Sequence, residues 1–550
     1  MSAPRPAAGS VLSRRHALRL TSTAALGAAA FPSILRGALA SANLSGHVIG
    51  EPTADKVGRQ VLASGGNAID AIVAAALVAA VAAPNQTGIG GYGLSATIAP
   101  AGGRQIVSID GNSTAPSALR ADSFKSGPDG NVPGRVNQTG WLATGVPGVL
   151  AGLHLALEKF GTRPFSELLQ PAIAIARDGY PWPKGLADLI AQQKIFSTDP
   201  GSRKLFFADG KPLAAGAIFR NPELAELLTA LAKANSVEPF YRGDIALRIA
   251  EGFQKNGGLV TARDLAAHRA RIVAPLTLTW GAYTIHTAPL TAGGLTVLQI
   301  LHAMRALDWE KLPAGLVQTH ARIEAARLAW RDRLTLLGDP DFGKIPVARL
   351  LSADYARESA AQITAAIKAG KPLAHAVAPR PQSGTISLSA ADKLGNFVAL
   401  TLTHGDAFGA RVTVEGLGLT LGHGMSRFDT NPAHPNAPGP GKRPLHNMVP
   451  TIVTRGGAPV LAIGGRGGRK IPNALLEVLT RYVVLGEPLG TAIAAPRMHT
   501  EGSTAVSFEK SWPAGEADAL TKLGYKVTTA ASANLSAVAL APGGLVSIQR

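Results

Sequence analysis

The chain contains no cysteine. Disulfides, a thiol nucleophile and thiolate metal sites are therefore excluded, and stability rests on packing and hydrogen bonding. Acids are scarce too: 36 Asp and Glu stand against 54 Lys and Arg, for a formal charge of +18. Five of the positives (Arg5, Arg14, Arg15, Arg19, Arg36) fall in the first 42 residues, which hold no acid, leaving +13 on the remainder (18 − 5). Aromatic residues make up only 5% of the chain, and the basic residues are scattered rather than clustered. That pattern argues against a nucleic-acid face and for a solvated basic surface, with room for local arginines to attract an anionic substrate. Beyond the N-terminal region no apolar run is long enough to span a bilayer.

What is present is a well-filled globular composition, 46% hydrophobic and 16% charged. The N-terminus has the form of an export signal. Ser13-Arg14-Arg15-His16-Ala17-Leu18 is a twin-arginine pattern, Leu20 to Leu35 is mildly apolar and broken by Pro32, and Ala38-Leu39-Ala40 offers a small-residue cleavage site. A signal over residues 1–40 and a periplasmic or secreted product are expected.

Helical periodicity dominates up to Gly370. A buried helix is expected over Ala68 to Ala83, and others over Leu295 to Leu307, Thr319 to Leu337 and Ala353 to Ala369. From Thr385 strands predominate: Thr385 to Ala390, Phe397 to Thr403, Val412 to Leu421, Thr451 to Thr454 and Pro459 to Ile463. Helices mostly first and strands clustered later predict an α+β fold with helix layers around sheets, its boundary within His375 to Gly384.

Thr385 sits at that boundary, in Ser383-Gly384-Thr385-Ile386-Ser387-Leu388. Read alone it is an ordinary strand threonine. Cleavage between Gly384 and Thr385 would turn it into an N-terminus carrying a hydroxyl nucleophile and a free amine on one residue, the amine serving as base.

The ordered segments Gly65-Gly66-Asn67-Ala68-Ile69-Asp70-Ala71, Gly88-Ile89-Gly90-Gly91, Val146-Pro147-Gly148, Ala292-Gly293-Gly294, Glu324-Ala325, Gly338-Asp339-Pro340-Asp341-Phe342, Lys442-Arg443-Pro444-Leu445, Pro450-Thr451-Ile452-Val453 and Gly467-Gly468 resemble the gamma-glutamyltransferase (gamma-glutamyltranspeptidase) family from about Val57 to Val527. The resemblance implies the N-terminal-nucleophile hydrolase αββα four-layer sandwich and self-cleavage before a threonine. The products would be a large subunit, 41–384, and a small one, 385–550, intertwined in one domain. Counting back from Asp392-Lys393-Leu394-Gly395-Asn396 places the family nucleophile on Thr385. Thr403 falls on the threonine that hydrogen-bonds the catalytic amine, and Gly467 and Gly468 on the pair forming the oxyanion hole. Ile386 and Ser387 depart from the family's usual threonine and histidine.

The substrate clamp departs further. The family arginine that holds the glutamate carboxylate falls on Asn112, and an asparagine falls on Gly405. The glutamine and aspartate that take the α-amine fall on Gly424 and Arg427, and two serines on His446 and Asn447. Exchanging an aspartate for a guanidinium inverts the charge facing an ammonium. Arg427, with Arg411 or Arg466, would either hold a carboxylate or other anion or pair with structural carboxylates. The segment Asp429 to Gly441 is shorter than the family's lid and rich in Pro and Gly, which favours a more open site and water as acceptor. His404, His423 and His446 lack a carboxylate or cysteine at ligand spacing, so no metal or cofactor is expected, and His446 is a candidate substrate contact. The expected activity is hydrolysis or acyl transfer on a small-molecule or peptide amide with altered acyl specificity. True γ-glutamyl transfer or glutathione hydrolysis through a rebuilt pocket is the second reading. An uncleaved, catalytically silent binding homologue is the third.

Overall fold

The computed structural model describes residues 46–289, 291–374 and 385–550. The expected signal (1–40) and the whole of the expected boundary (375–384), with Gly384 of the expected cleavage site, lie outside the described residues. Twelve strands matter for the site: β1 (His47–Ile49), β2 (Gly93–Ala99), β3 (Val107–Asn112), β4 (Arg271–Val273), β5 (Leu276–Trp280), β6 (Tyr283–Thr287), β7 (Ile386–Ala391), β8 (Phe397–Thr403), β9 (Thr451–Arg455), β10 (Ala458–Arg466), β11 (Asn534–Ala541) and β12 (Gly544–Gln549). They form two six-stranded antiparallel sheets, ordered β1-β7-β8-β2-β3-β4 and β12-β11-β10-β9-β6-β5.

The first sheet is assembled from both sides of the expected boundary. Strands β7 and β8 lie between β1 and β2, so the segments before 375 and after 384 share one hydrogen-bonded surface. Six of the twelve strands precede residue 375 and six follow it, so the strand-rich segment after Thr385 completes sheets begun before the boundary.

Strand alternation divides β7 between two cores. Ile386, Leu388 and Ala390 join the apolar cluster under helix α1 (Ala68–Ala82). Ser387 and Ser389 face the second sheet, where Ser389 Oγ donates to Ser536 O (2.9 Å) and Ser536 Oγ meets Ser387 Oγ (3.2 Å). The sheets approach closely because small residues line the gap: a Cβ on Gly464 would lie 2.4 Å from Ser387 Oγ. Outside the second sheet pack helices α2 (Gly294–Ala306), α3 (Leu316–Leu336), α4 (Ala353–Ala369) and α5 (Lys470–Leu479). Helices, sheet, sheet, helices: this is the αββα sandwich.

The sequence motifs act as fasteners of this frame. Asn67 and Asp70 form a capping box at the start of α1, a device worth about 1 kcal/mol. Asp70 also accepts from the Thr162 N–H (2.7 Å) and hydroxyl (2.6 Å). The next amide, that of Ala68, donates to Asp392 Oδ2 (2.8 Å), and Asp392 Oδ1 closes its own turn by accepting from the Leu394 and Asn396 amides. Two distant motifs thus fix one helix end to one strand turn. The expected strand Val412 to Leu421 is instead two short strands, Thr413–Val414 and Leu419–Thr420. Gly416 (φ 76°) and Gly418 (φ 55°) adopt left-handed backbone there and break it into a tight hairpin.

Candidate active site

Thr385 immediately precedes β7, and Ile386 pairs with Leu402, so Thr385 stands opposite Thr403. Their hydroxyls lie 3.2 Å apart, both residues are buried, and Thr403 Oγ1 accepts the Gly405 N–H at 2.8 Å. Thr403 pairs onward with Gly93, and Gly93 with Asn112, which makes a row across the first sheet. Residue 93 has no side chain, and the space a Cβ would take is bounded by Met448 Cε at 3.1 Å. A Cβ there would sit 3.5 Å from Asn112 Oδ1 and 3.8 Å from Thr403 Cγ2. Asn112 is fully buried. Its Nδ2 donates to Pro444 O (2.7 Å) and Thr291 Oγ1 (3.1 Å), while Oδ1 has no partner.

Gly467 and Gly468 follow β10 and precede α5. Both have left-handed backbone (φ 136° and 63°), which side chains resist. Their carbonyls begin the helix by accepting from Lys470 and Ile471.

Beside this row lies a cavity of about 110 Å³ whose wall includes Arg333, Asp406, His423, Arg427, Asn447 and Arg469. Two of its wall residues neighbour in sequence the residues just described: Asp406 is three residues past Thr403, and Arg469 follows Gly468. Arg427, on the short turn Gly424–Arg427, is nearly buried. Its Nη2 lies 3.4 Å from Asp406 Oδ1 and 3.3 Å from His423 Nε2, and its guanidinium lies over the Tyr92 ring at 5.8 Å. His423 Nδ1 donates to Gln138 O (2.9 Å), leaving Nε2 to accept from Arg427. Burial pulls the His423 pKa down to about 4, with Asp406 opposing and Arg427 reinforcing.

Arg333, on α3, is buried, and among the described residues its hydrogen-bond partners are neutral: Ala292 O (3.2 Å), His446 O (2.6 Å) and Asn447 Oδ1 (3.3 Å). Burial, with Arg469 nearby, pulls its pKa down to about 9. Arg469 is held differently, by Glu501 (2.9 Å), which binds His499 (2.9 Å). Asn473 links His499 (3.1 Å) to the Trp330 indole (2.8 Å). That chain of bonds returns to the cavity wall at Trp330.

The sequence candidates divide accordingly. Arg427 and Asn447 line the cavity, and His446 lies behind it as an Arg333 acceptor. Burial, with Arg333 and Arg427 close by, lowers the His446 pKa to about 3. Gly405 (φ 109°) is filled space: a Cβ would lie 2.1 Å from His423 Cδ2 and 3.1 Å from Arg427 Nη2. Gly424 packs against Tyr92 and Ser113, with 3.0 Å between its notional Cβ and that of Tyr92. Arg411 binds Gln193 (3.0 Å), and Arg466 lines a different cavity. Segment Asp429 to Gly441 folds back on the cavity rim: the Asp429 N–H donates to Asn436 O (2.8 Å), and His434 Nε2 donates to Leu334 O (2.9 Å).

Sequence reasoning missed Asp406, Arg469 and Arg333. The first two adjoin motif residues, which was a usable signal. Arg333 gave none, because the polar residues of α3 are spread around the helix instead of marking one exposed face. Among the described residues no group of three or more His, Asp or Glu is placed to hold a metal, and no helix is long and apolar enough to cross a membrane.

A threonine at the head of an inner strand of an αββα sandwich, opposite a second threonine and near a left-handed glycine pair, defines the class as an N-terminal-nucleophile hydrolase fold. Residues 54–548 match the family model described as Gamma-glutamyltranspeptidase, and the chain belongs to that family. It is 37% identical over 473 residues to a glutathione hydrolase proenzyme of Pseudomonas sp. (strain A14), covering 82% of this chain and 81% of that one. It is 32% identical over 510 residues to the Acylase ACY 1 proenzyme of Pseudomonas sp. (strain V22), covering 91% and 90%. Among solved structures, the cephalosporin acylase from Bacillus halodurans superposes with a TM-score of 0.80 at 27% identity, over 92% of this chain and 93% of that one.

Proposed function

We propose that the chain is an exported, self-processing amidase whose acyl pocket prefers a terminal carboxylate over the γ-glutamyl head group. The observation that carries this is Arg333, a buried guanidinium on the cavity wall held, among the described residues, by neutral acceptors, with Arg427 and Arg469 on the same wall. Charge-assisted bonds to such a group are worth about 1.5–3 kcal/mol each. An α-ammonium would find Asp406 already shared with Arg427.

In this mechanism the Thr385 hydroxyl first attacks the Gly384 carbonyl, and the ester so formed is hydrolysed to give subunits 41–384 and 385–550. The freed amine of Thr385 then takes the proton from its own hydroxyl as Oγ1 attacks the substrate carbonyl. Thr403 holds the pair in place. The amides of Gly467 and Gly468 stabilise the oxyanion, each worth about 3 kcal/mol. The C–N bond breaks, the amine returns the proton to the leaving nitrogen, and water releases the acyl group by the reverse path.

A denaturing gel with N-terminal sequencing tests it. Bands of about 35 and 17 kDa, in proportion to 56.5 kDa over 550 residues, with the smaller beginning at Thr385, are expected. A single full-length band contradicts the mechanism and supports the silent homologue.

A further inference from the structure

Arg427 reaches the cavity wall with few polar contacts to fix its side chain. Its approach to Asp406 (3.4 Å) is long for a charge-assisted bond, and its approach to His423 (3.3 Å) uses the same Nη2. Its buried Nε has no hydrogen-bond partner among the described residues. What lies against the guanidinium is the Tyr92 ring, 5.8 Å from ring centre to Cζ.

The glycine turn Gly88-Ile89-Gly90-Gly91-Tyr92-Gly93 puts the ring there. A Cβ on Gly90 would lie 2.4 Å from Thr420 O, and one on Gly91 2.8 Å from Thr403 O, so neither position has room for a side chain. Tyr92 comes next, directly before Gly93 of the catalytic row. The segment leading to Arg427 closes on it: Gly422 N donates to Gly90 O (2.9 Å), a Cβ on Gly422 would lie 2.4 Å from Tyr92 N, and one on Gly424 3.0 Å from Tyr92 Cβ. Glycines in both segments thus let them meet around a Tyr92 that is 4% exposed. Burial raises the phenol above its ordinary pKa, with Arg427 and Arg333 opposing and Asp406 adding to the rise, so the ring is neutral in the working range.

An aromatic face attracts a cation through its quadrupole and leaves the net charge in place, whereas a carboxylate cancels it. The cavity contains both arrangements. Arg333 lies over the Trp330 ring at 5.9 Å, as Arg427 lies over Tyr92, while Arg469 is paired with Glu501 at 2.9 Å.

We propose that Tyr92 is a positioning residue for Arg427: its ring holds the guanidinium at the cavity wall with its charge available, and so takes part in selecting an acyl group that ends in a carboxylate. This rests on the arginine cavity being the acyl pocket.

The test compares wild type, Tyr92→Leu, Arg427→Gln and the double variant as processed enzymes, on glutaryl and pentanoyl 4-nitroanilides. Tyr92→Leu should lower kcat/KM for the glutaryl anilide about 10-fold, through KM, and that for the pentanoyl anilide about 2-fold at most. Tyr92→Phe keeps the ring and should recover most of the loss. In the Arg427→Gln background, Tyr92→Leu should cost less than about 2-fold further. Equal losses on both anilides, or the same 10-fold loss without Arg427, would overturn the proposal, because Tyr92 would then support the fold and not the guanidinium. If wild type shows no preference for the glutaryl anilide, the acyl-pocket reading fails on its own. The ring contact is then judged by the denaturant midpoints of the same four proteins. A smaller shift from Tyr92→Leu in the Arg427→Gln background than in wild type supports it, and equal shifts overturn it.

Discussion

The catalytic row and the arginine cavity lie side by side but are built by different rules. The row comes from strand ends in strict register: Thr385 faces Thr403, and Gly93 and Asn112 continue the line. Backbone hydrogen bonds set those positions, so they tolerate little change. The cavity comes from a long helix, a short turn and two loops, supplying Arg333, Arg427, Asp406 and Arg469. Side-chain volume and charge set it, and it can be rebuilt by coordinated exchanges. Gly405 shows the coordination, since the room a side chain would need there is filled by His423 and Arg427. Strand register thus fixes the row, while side-chain packing shapes the cavity.

The comparison breaks most sharply at Thr385. Thr385→Ala should abolish self-cleavage and reduce turnover by at least about 1,000-fold, read by gel and anilide assay. Activity retained by that variant would remove the row from the mechanism. Thr403→Val keeps the shape but loses the hydroxyl 3.2 Å from Thr385 Oγ1, and kcat should fall about 100-fold. In the cavity, Arg333→Gln or Arg427→Gln should cost about 10- to 100-fold in kcat/KM on a glutaryl anilide and little on a neutral acyl anilide. A uniform loss would show that these arginines hold the fold instead of the substrate.

Reinstating the family side chain should fail for steric reasons. Gly405→Asn meets His423 at 2.1 Å and needs a backbone that side chains resist, so a destabilisation of about 2–3 kcal/mol is expected in denaturant titration. Unchanged stability would show that His423 moves freely, and the packing account of the cavity would fall.

The smallest effect concerns pH. Burial lowers the pKa of His446 to about 3 and of His423 to about 4. Both rings are then neutral through the working range, and neither should contribute a limb to the pH–rate profile above pH 5. The unfolded chain binds protons near pH 6.5 and the folded one does not, so stability is full above pH 6.5 and is lost as the pH falls towards 4. Each ring should account for about 2 kcal/mol by pH 5. His446→Gln should flatten the fall in Tm between pH 6.5 and 5. An unchanged slope would place the ring in contact with water.

Thr385 and Thr403 were picked out by the family resemblance, Thr385 by counting back from Asp392 and Thr403 as the threonine ending the strand from Phe397, and the structure sets their hydroxyls 3.2 Å apart. Less of the cavity was legible. Arg427 came through because it displaced an acid in a readable segment, whereas Arg333 arrives from a helix about 90 residues away in sequence, where nothing local marks its end as a pocket wall. Arg411 and Arg466 were grouped with Arg427 by charge alone. The fold sends one to Gln193 and the other to the second cavity. The broken strand at Val412 to Leu421 has the same kind of origin, apolar alternation overridden by two glycines in left-handed conformation.

The central claim is that the reaction is the family's and the acyl group is not. It is tested most directly by the ratio of kcat/KM for glutaryl and γ-glutamyl 4-nitroanilides on the processed enzyme. A ratio of at least about 10 in favour of glutaryl is predicted, from the loss of one charge-assisted contact and the meeting of an ammonium with guanidinium. A γ-glutamyl anilide turned over equally well or better would contradict it.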